Sequence, residues 1–205
     1  DFPPLWITDG MLKGKGIADI GESFIKKELP NYDFKHLDVS VARAKVLMSN
    51  QHNDTFCAVP HGKGFFKNVV ESKVWVALSG HVLIANEIFI NKLKSNSEVL
   101  NNNQQLVLKK FLKESEYIGL VTKGQKYPVL DKVLSPYKTT KIEEYVSSNM
   151  LSLYSMILKQ RADYTFQYES TVNYLQKIGS EISFITIEEL NNHSVPIVVG
   201  CNDTP

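Results

Sequence analysis

Of the 23 basic side chains only Arg43 and Arg161 are arginines, and a planar guanidinium fork is the usual device for gripping a carboxylate. Arg43 is the stronger candidate of the two. Ser40 can cap a helix that runs through Met48, so Arg43 falls in its first turn, where the helix dipole also favours an anion. The plain alternative is a surface arginine. Trp6, near the start of the chain, either lies over an apolar or cationic ligand group or belongs to the core. Tyr168-Glu169 sets a phenol beside a carboxylate at the end of a short aromatic run.

The other residues able to do chemistry exclude more than they suggest. His36, His52, His61, His81 and His193 include no pair at metal-ligand spacing, and there is no Cys-x-x-Cys, so no metal site is expected. Gly62-Lys63-Gly64 lacks the Gly-Lys-Ser/Thr ending of a phosphate loop. No Gly-x-Ser-x-Gly elbow is present. Asp131 and Glu169 would form a catalytic pair only if the fold brought them together, and Glu143-Glu144 and Glu188-Glu189 read as solvated helix faces. The expectation is a protein with no catalytic residues and no cofactor; an α/β enzyme with an undefined cleft is the least favoured alternative.

The elements that must position these residues are organised around the stretch 151–169. Leu151, Tyr154, Ile157 and Leu158 recur at three- and four-residue spacing, as on one stripe of a helix. A turn at Arg161-Ala162-Asp163 follows, and then Tyr164, Phe166 and Tyr168 alternate with Thr165 and Gln167 in the two-residue rhythm of a strand. Upstream, Pro3-Pro4 fixes an extended start, and a helix spans about 17–29. Strands are expected over 34–39, 54–59, 74–78 and 81–86. The polar stretch 91–103 reads as a surface loop. Beyond it come a helix from about 106, a strand over 117–122, a helix over 128–134, strands near 139–145, 182–185 and 196–200, and a helix over 172–177. Alternating strands and helices argue for an α/β fold built on parallel sheets.

Composition sets the class. At 205 residues the chain can form one large domain or two lobes of roughly 100 residues each. Hydrophobic residues at 43% and charged residues at 22% are ordinary globular usage. The 23 basic residues against 22 acidic ones give no long-range pull towards nucleic acid or anionic membrane. No apolar run is long enough to span a bilayer. A start at Asp1, with no Met and no leader, suits a mature exported protein with its signal peptide removed, or a trimmed piece. Cys57 and Cys201 permit one disulfide in an oxidising compartment or two thiols in a reducing one.

Taken in order, Asp1-Phe2-Pro3-Pro4, Asp9-Gly10, Gly14-Lys15-Gly16-Ile17-Ala18-Asp19 leading into a helix, and the repeated strand, glycine loop and helix over 117–134 resemble the periplasmic (extracellular) solute-binding proteins of family 3, associated with ABC importers. The resemblance implies an α/β, two-lobed type II periplasmic-binding fold with mixed sheets flanked by helices and two hinge crossovers. Lobe one would be 1–86 plus 198–205, incomplete at both ends, and lobe two 87–197. It implies a small polar solute, amino-acid-like or related, captured between the lobes by Trp6, Arg43, Gly124, Gln125, Lys126, Tyr127, Tyr168 and Glu169. It places Cys57 and Cys201 in one lobe, where a disulfide would join them. A monomer, periplasmic or extracellular, with an ABC permease as partner, is the expectation; a sensory or vestigial lobe pair is the alternative. Two positions depart from the family's amino-acid binders. Gly64-Phe65-Phe66-Lys67 has no Arg, and Tyr168 stands where they carry Asp, so a peptide, aromatic or other polar solute is as admissible as an amino acid.

Overall fold

The computed structural model describes residues 3–7, 10–37, 39, 41–49, 55–114, 116–123, 127, 129–137, 141–145 and 150–202. In chain order its elements are α1 (Ile17–Glu28), α2 (Val41–Ser49), β1 (Cys57–Gly62), β2 (Val69–Glu71), β3 (Val76–Ser79), β4 (His81–Asn86), α3 (Glu87–Ser95), α4 (Leu108–Glu114) and β5 (Gly119–Thr122). There follow α5 (Leu130–Leu134), β6 (Ile142–Tyr145), α6 (Met150–Leu158), β7 (Tyr164–Tyr168), α7 (Glu169–Lys177), β8 (Ile182–Ile185) and β9 (Ser194–Asn202). The chain divides into two units, Asp1–Leu78 with Val195–Pro205, and Ser79–Ser194.

The second unit is built on a sheet of order β6-β5-β7-β4-β8, in which β5 runs parallel to β6 and β7 while β4 is antiparallel to β7 and β8. β7 is the middle strand, and all five of its residues are buried. Its alternation in sequence therefore does not separate a wet face from a dry one. It separates two dry faces with different chemistry. Tyr164 and Phe166 meet edge to face at 5.5 Å, and Tyr164 meets Phe111 at 5.2 Å, geometry that suits the aromatic quadrupole. On the other face Thr165 Oγ1 donates to the Leu120 carbonyl at 2.7 Å, which satisfies a hydroxyl that would otherwise be costly to bury. Gly119 is required under this cluster, because a Cβ there would overlap the Tyr164 ring.

The turn before β7 is pinned by a reciprocal pair. The Ile118 N–H donates to Asp163 Oδ2 at 2.7 Å, and the Asp163 N–H donates to the Ile118 carbonyl at 2.9 Å. This ties the start of β7 to the start of β5 and sets which ends of the two strands lie together.

Three expectations for this unit are corrected. Glu143 and Glu144, read as a helix face, are exposed residues of strand β6. Residues 91–95, read as loop, belong to α3: Asn86 Oδ1 accepts the Phe89 N–H at 2.8 Å as a side-chain cap, and Phe89, Ile90 and Leu93 are buried beneath exposed lysines. The polar residues are the outer face of a short amphipathic helix. Glu189, read as part of a solvated face, instead accepts the N–H groups of Leu108 and Lys109, each at 2.9 Å, and so caps α4 from 80 residues away in sequence. Glu189→Ala should lower stability by about 1–2 kcal/mol, read as a lower urea midpoint. An unchanged midpoint would show that the carboxylate is not capping.

The first unit is organised by β9, which pairs antiparallel with β1 and β2 and also pairs with β3. β1 and β2 thus pair antiparallel with β9 where a parallel sheet was expected. α1 is started by Asp19, whose Oδ2 accepts the Gly16 N–H at 2.8 Å. Gly21 lets α1 approach the Trp75 indole, which any Cβ at that position would overlap. The strand expected over 34–39 does not form among the described residues there, where 33–37 and 39 carry no regular structure. Phe34 and Leu37 are exposed, so the apolar run buries nothing that would hold it as a strand.

Candidate ligand-binding site

Ligands in open α/β sheets sit beyond the carboxyl ends of the strands, where loops lead into helix N-termini. In the second unit that place is the end of β5 and β7. Tyr168 is the last residue of β7 and the N-cap of α7, and Glu169 is the first residue of the helix. Both therefore stand where the sequence put them, Tyr168 buried and Glu169 half-buried.

Two neighbours complete this corner. His81 opens β4 directly opposite Tyr168 in the ladder, and the two rings lie 4.3 Å apart at 33°. Tyr127, after β5, brings its ring to 5.2 Å from His81. The Tyr127 hydroxyl accepts the Thr122 N–H at 3.2 Å, and its own N–H donates to Asp131 Oδ2 at 2.8 Å. Asp131 thereby holds the Tyr127 backbone. Gly124, Gln125 and Lys126 lie outside the described residues.

Burial sets the protonation states of this corner. His81 is held down to about 4, because desolvation disfavours the imidazolium more than the Asp131 charge supports it. Burial, with the neighbouring Tyr127 second, pushes Tyr168 up to about 12. Burial likewise raises Tyr127 and Tyr154, in Tyr127 against the hydrogen bond from Thr122. At neutral pH the corner thus presents a neutral imidazole and neutral phenols. The buried His81 Nε2, Ser170 Oγ and Thr171 Oγ1 have no hydrogen-bond partner among the described residues.

In the first unit Trp6 is half-buried between the buried Leu5 and Ile7; it follows a turn over residues 3–5 with a cis Pro3–Pro4 bond, where an extended start was expected. Its ring meets His36 edge-on at 5.8 Å. Arg43 is exposed in the first turn of α2. Two positions on from it, Lys45 Nζ lies 4.5 Å from the Phe65 ring centroid, and Phe65 meets Phe66 at 5.0 Å. The stretch 64–67, which lacks an arginine, is in this way joined to a cation of α2, a contact between residues 20 apart that periodicity does not reveal.

Cys57 and Cys201 are direct partners in the β1–β9 ladder and form a disulfide. Among the described residues no group of three or more His, Cys, Asp or Glu side chains is placed to hold a metal ion. No helix among them is long and apolar enough to cross a membrane.

No family model and no curated protein matches the sequence. Solved structures do match, over nearly the whole chain. The holo arginine-binding protein ArgBP of T. maritima aligns with a TM-score of 0.67 at 13% identity, covering 99% of this chain and 79% of that one. An ancestral arginine-binding protein bound to glutamine aligns at 0.63 and 13%, covering 98% and 80%. The GluR0 ligand-binding core in complex with L-glutamate aligns at 0.64 and 8%, covering 100% and 82%. The chain has the two-lobed, type II periplasmic-binding-protein fold.

Within this periplasmic-binding fold, the residue most important to the second unit's corner and missed in sequence is His81. Its signal was available only as a histidine at the head of an apolar β-branched run. What makes it notable, the facing Tyr168 and the unpartnered Nε2, comes from the pairing of strands 87 residues apart.

Proposed function

We propose that this chain is an exported solute-binding protein that captures a small polar ligand without transforming it, and that it serves an ABC importer as a periplasmic or extracellular monomer. The observation that carries this reading is the corner at the ends of β5 and β7. Neutral aromatic rings pack there, and buried polar atoms of His81 and of the first turn of α7 have no hydrogen-bond partner among the described residues, at the strand ends where open α/β sheets receive ligands. Support also comes from the whole-chain likeness in fold to proteins solved with arginine, glutamine or glutamate bound. The disulfide fits an oxidising compartment outside the cytoplasm. Trp6, Arg43, Tyr127, Tyr168 and Glu169 remain the proposed contact residues, together with Gly124, Gln125 and Lys126.

A second reading, a vestigial pair of lobes that no longer feeds a transporter, is favoured by one observation. His81, Tyr127 and Tyr168 are each less than a tenth exposed, so the corner is largely filled by its own side chains. Native mass spectrometry of the purified protein, followed by thermal-shift screening of amino acids, amides and polyols, tests the proposal. A retained small molecule, or a melting temperature that rises with ligand concentration as binding linkage requires, supports it. No retained mass and no shift with any compound would overturn it.

A further inference from the structure

We infer that Asp131 is a positioning residue of the solute site, acting through Tyr127, whose ring it fixes beside His81; the inference rests on the solute-binding reading above. Tyr127 is held at both its backbone and its tip. Its N–H donates to Asp131 Oδ2 at 2.8 Å, its carbonyl accepts the Asp131 N–H at 2.7 Å, and its hydroxyl accepts the Thr122 N–H at 3.2 Å. Two of these three bonds are to one residue. Tyr127 is 2% exposed, and Asp131 is half-buried. The Tyr127 ring lies 5.2 Å from His81, which lies 4.3 Å from Tyr168. A displaced Tyr127 therefore shifts the imidazole and, through it, Tyr168, because close-packed rings follow one another rather than leave a void.

The chemistry of the carboxylate makes this more than the closing of a turn. An ionised oxygen accepting a backbone N–H forms a charge-assisted bond, stronger than its neutral counterpart. The same charge reaches His81: the phenols of Tyr127 and Tyr168 face that imidazole, and Asp131 is the charge that opposes its desolvation. Asp131 thus leaves two separable marks, a bond on the Tyr127 backbone and a charge felt at His81. A residue that merely closed a turn would leave the first without the second, and neither mark would extend to the solute.

The test follows the isotope-labelled whole chain by NMR and titrates it with L-arginine, L-glutamine and L-glutamate. Asp131→Ala should speed exchange of the Tyr127 amide and weaken the titrant that binds wild type, each by about tenfold or more. Asp131→Asn keeps an acceptor oxygen and removes the charge, so it should rescue most of the amide protection and of the affinity, while the His81 imidazole titrates at lower pH than in wild type. Asp131→Glu moves the oxygen out by one methylene and stands in should Asp131→Ala fail to fold; exchange and affinity should both change in the same sense, by less. Unchanged exchange of the Tyr127 amide in the alanine or glutamate variant overturns the inference. Faster exchange with unchanged affinity, or a His81 titration that does not move in Asp131→Asn, also overturns it, and both leave the solute-binding reading standing. No binding of any titrant to wild type at millimolar concentration overturns both.

Discussion

Reduction of the Cys57–Cys201 bridge should lower the melting temperature by about 8–20 °C. The bond joins residues 144 apart, and on the chain-entropy account closing a loop of that length restricts the unfolded chain by about 4–5 kcal/mol. In a protein of this size each kcal/mol moves the midpoint by about 2–4 °C. The fold makes the dependence local. β9 is the strand to which β1, β2 and β3 are all paired, and the bridge fastens β1 to it beside the Phe56 N–H bond to Asn202 Oδ1 at 2.7 Å and the Asn202 N–H bond to the Phe56 carbonyl at 3.0 Å. Cys57 is exposed, so a reductant reaches the bond in the folded protein. Scanning calorimetry with and without dithiothreitol, alongside the double variant Cys57→Ser/Cys201→Ser, measures the effect. Equal midpoints in oxidised and reduced protein would show that the bridge adds nothing.

The second large effect is a loss of stability in mild acid traceable to one side chain. His81 titrates at about 4 in the folded protein and near its ordinary 6.5 when unfolded. Between those values the unfolded chain binds the extra proton, so folding grows more favourable as pH rises through the window. The contribution is complete above about 6.5, declines as pH falls, and is gone below about 4, a total of about 3 kcal/mol. Denaturant titrations of wild type and His81→Phe from pH 4 to 7.5 isolate it. The wild-type curve should fall more steeply than the variant's on the acid side. Parallel curves would mean that the imidazole is not held neutral by its surroundings.

His81 also marks how far the sequence reaches. Helix α6, the turn at Asp163, strand β7 and the position of Tyr168-Glu169 at a strand-to-helix junction were all legible, because each depends on periodicity and turn chemistry within about 20 residues. β2 and the short helix α3 were not. A three-residue strand has too little pattern to register, and the lysines of α3 masked a buried stripe of Phe89, Ile90 and Leu93. Glu189 was assigned to solvent because nothing near it in sequence needs an acceptor; the amides it caps belong to residues 108 and 109.

By itself, then, the sequence determined the alternation of strands and helices, the class of fold and the absence of a nucleotide loop or metal spacing, since local hydrophobic rhythm and residue type are properties of short segments. Tertiary structure alone decided that β7 is dry on both faces, that Cys57 meets Cys201 in register, and that His81 lies against Tyr168 and Tyr127 as a neutral base. Each of those depends on which distant segments pair and on how much water they exclude, and desolvation is a property of the assembled neighbourhood, not of any one stretch of chain.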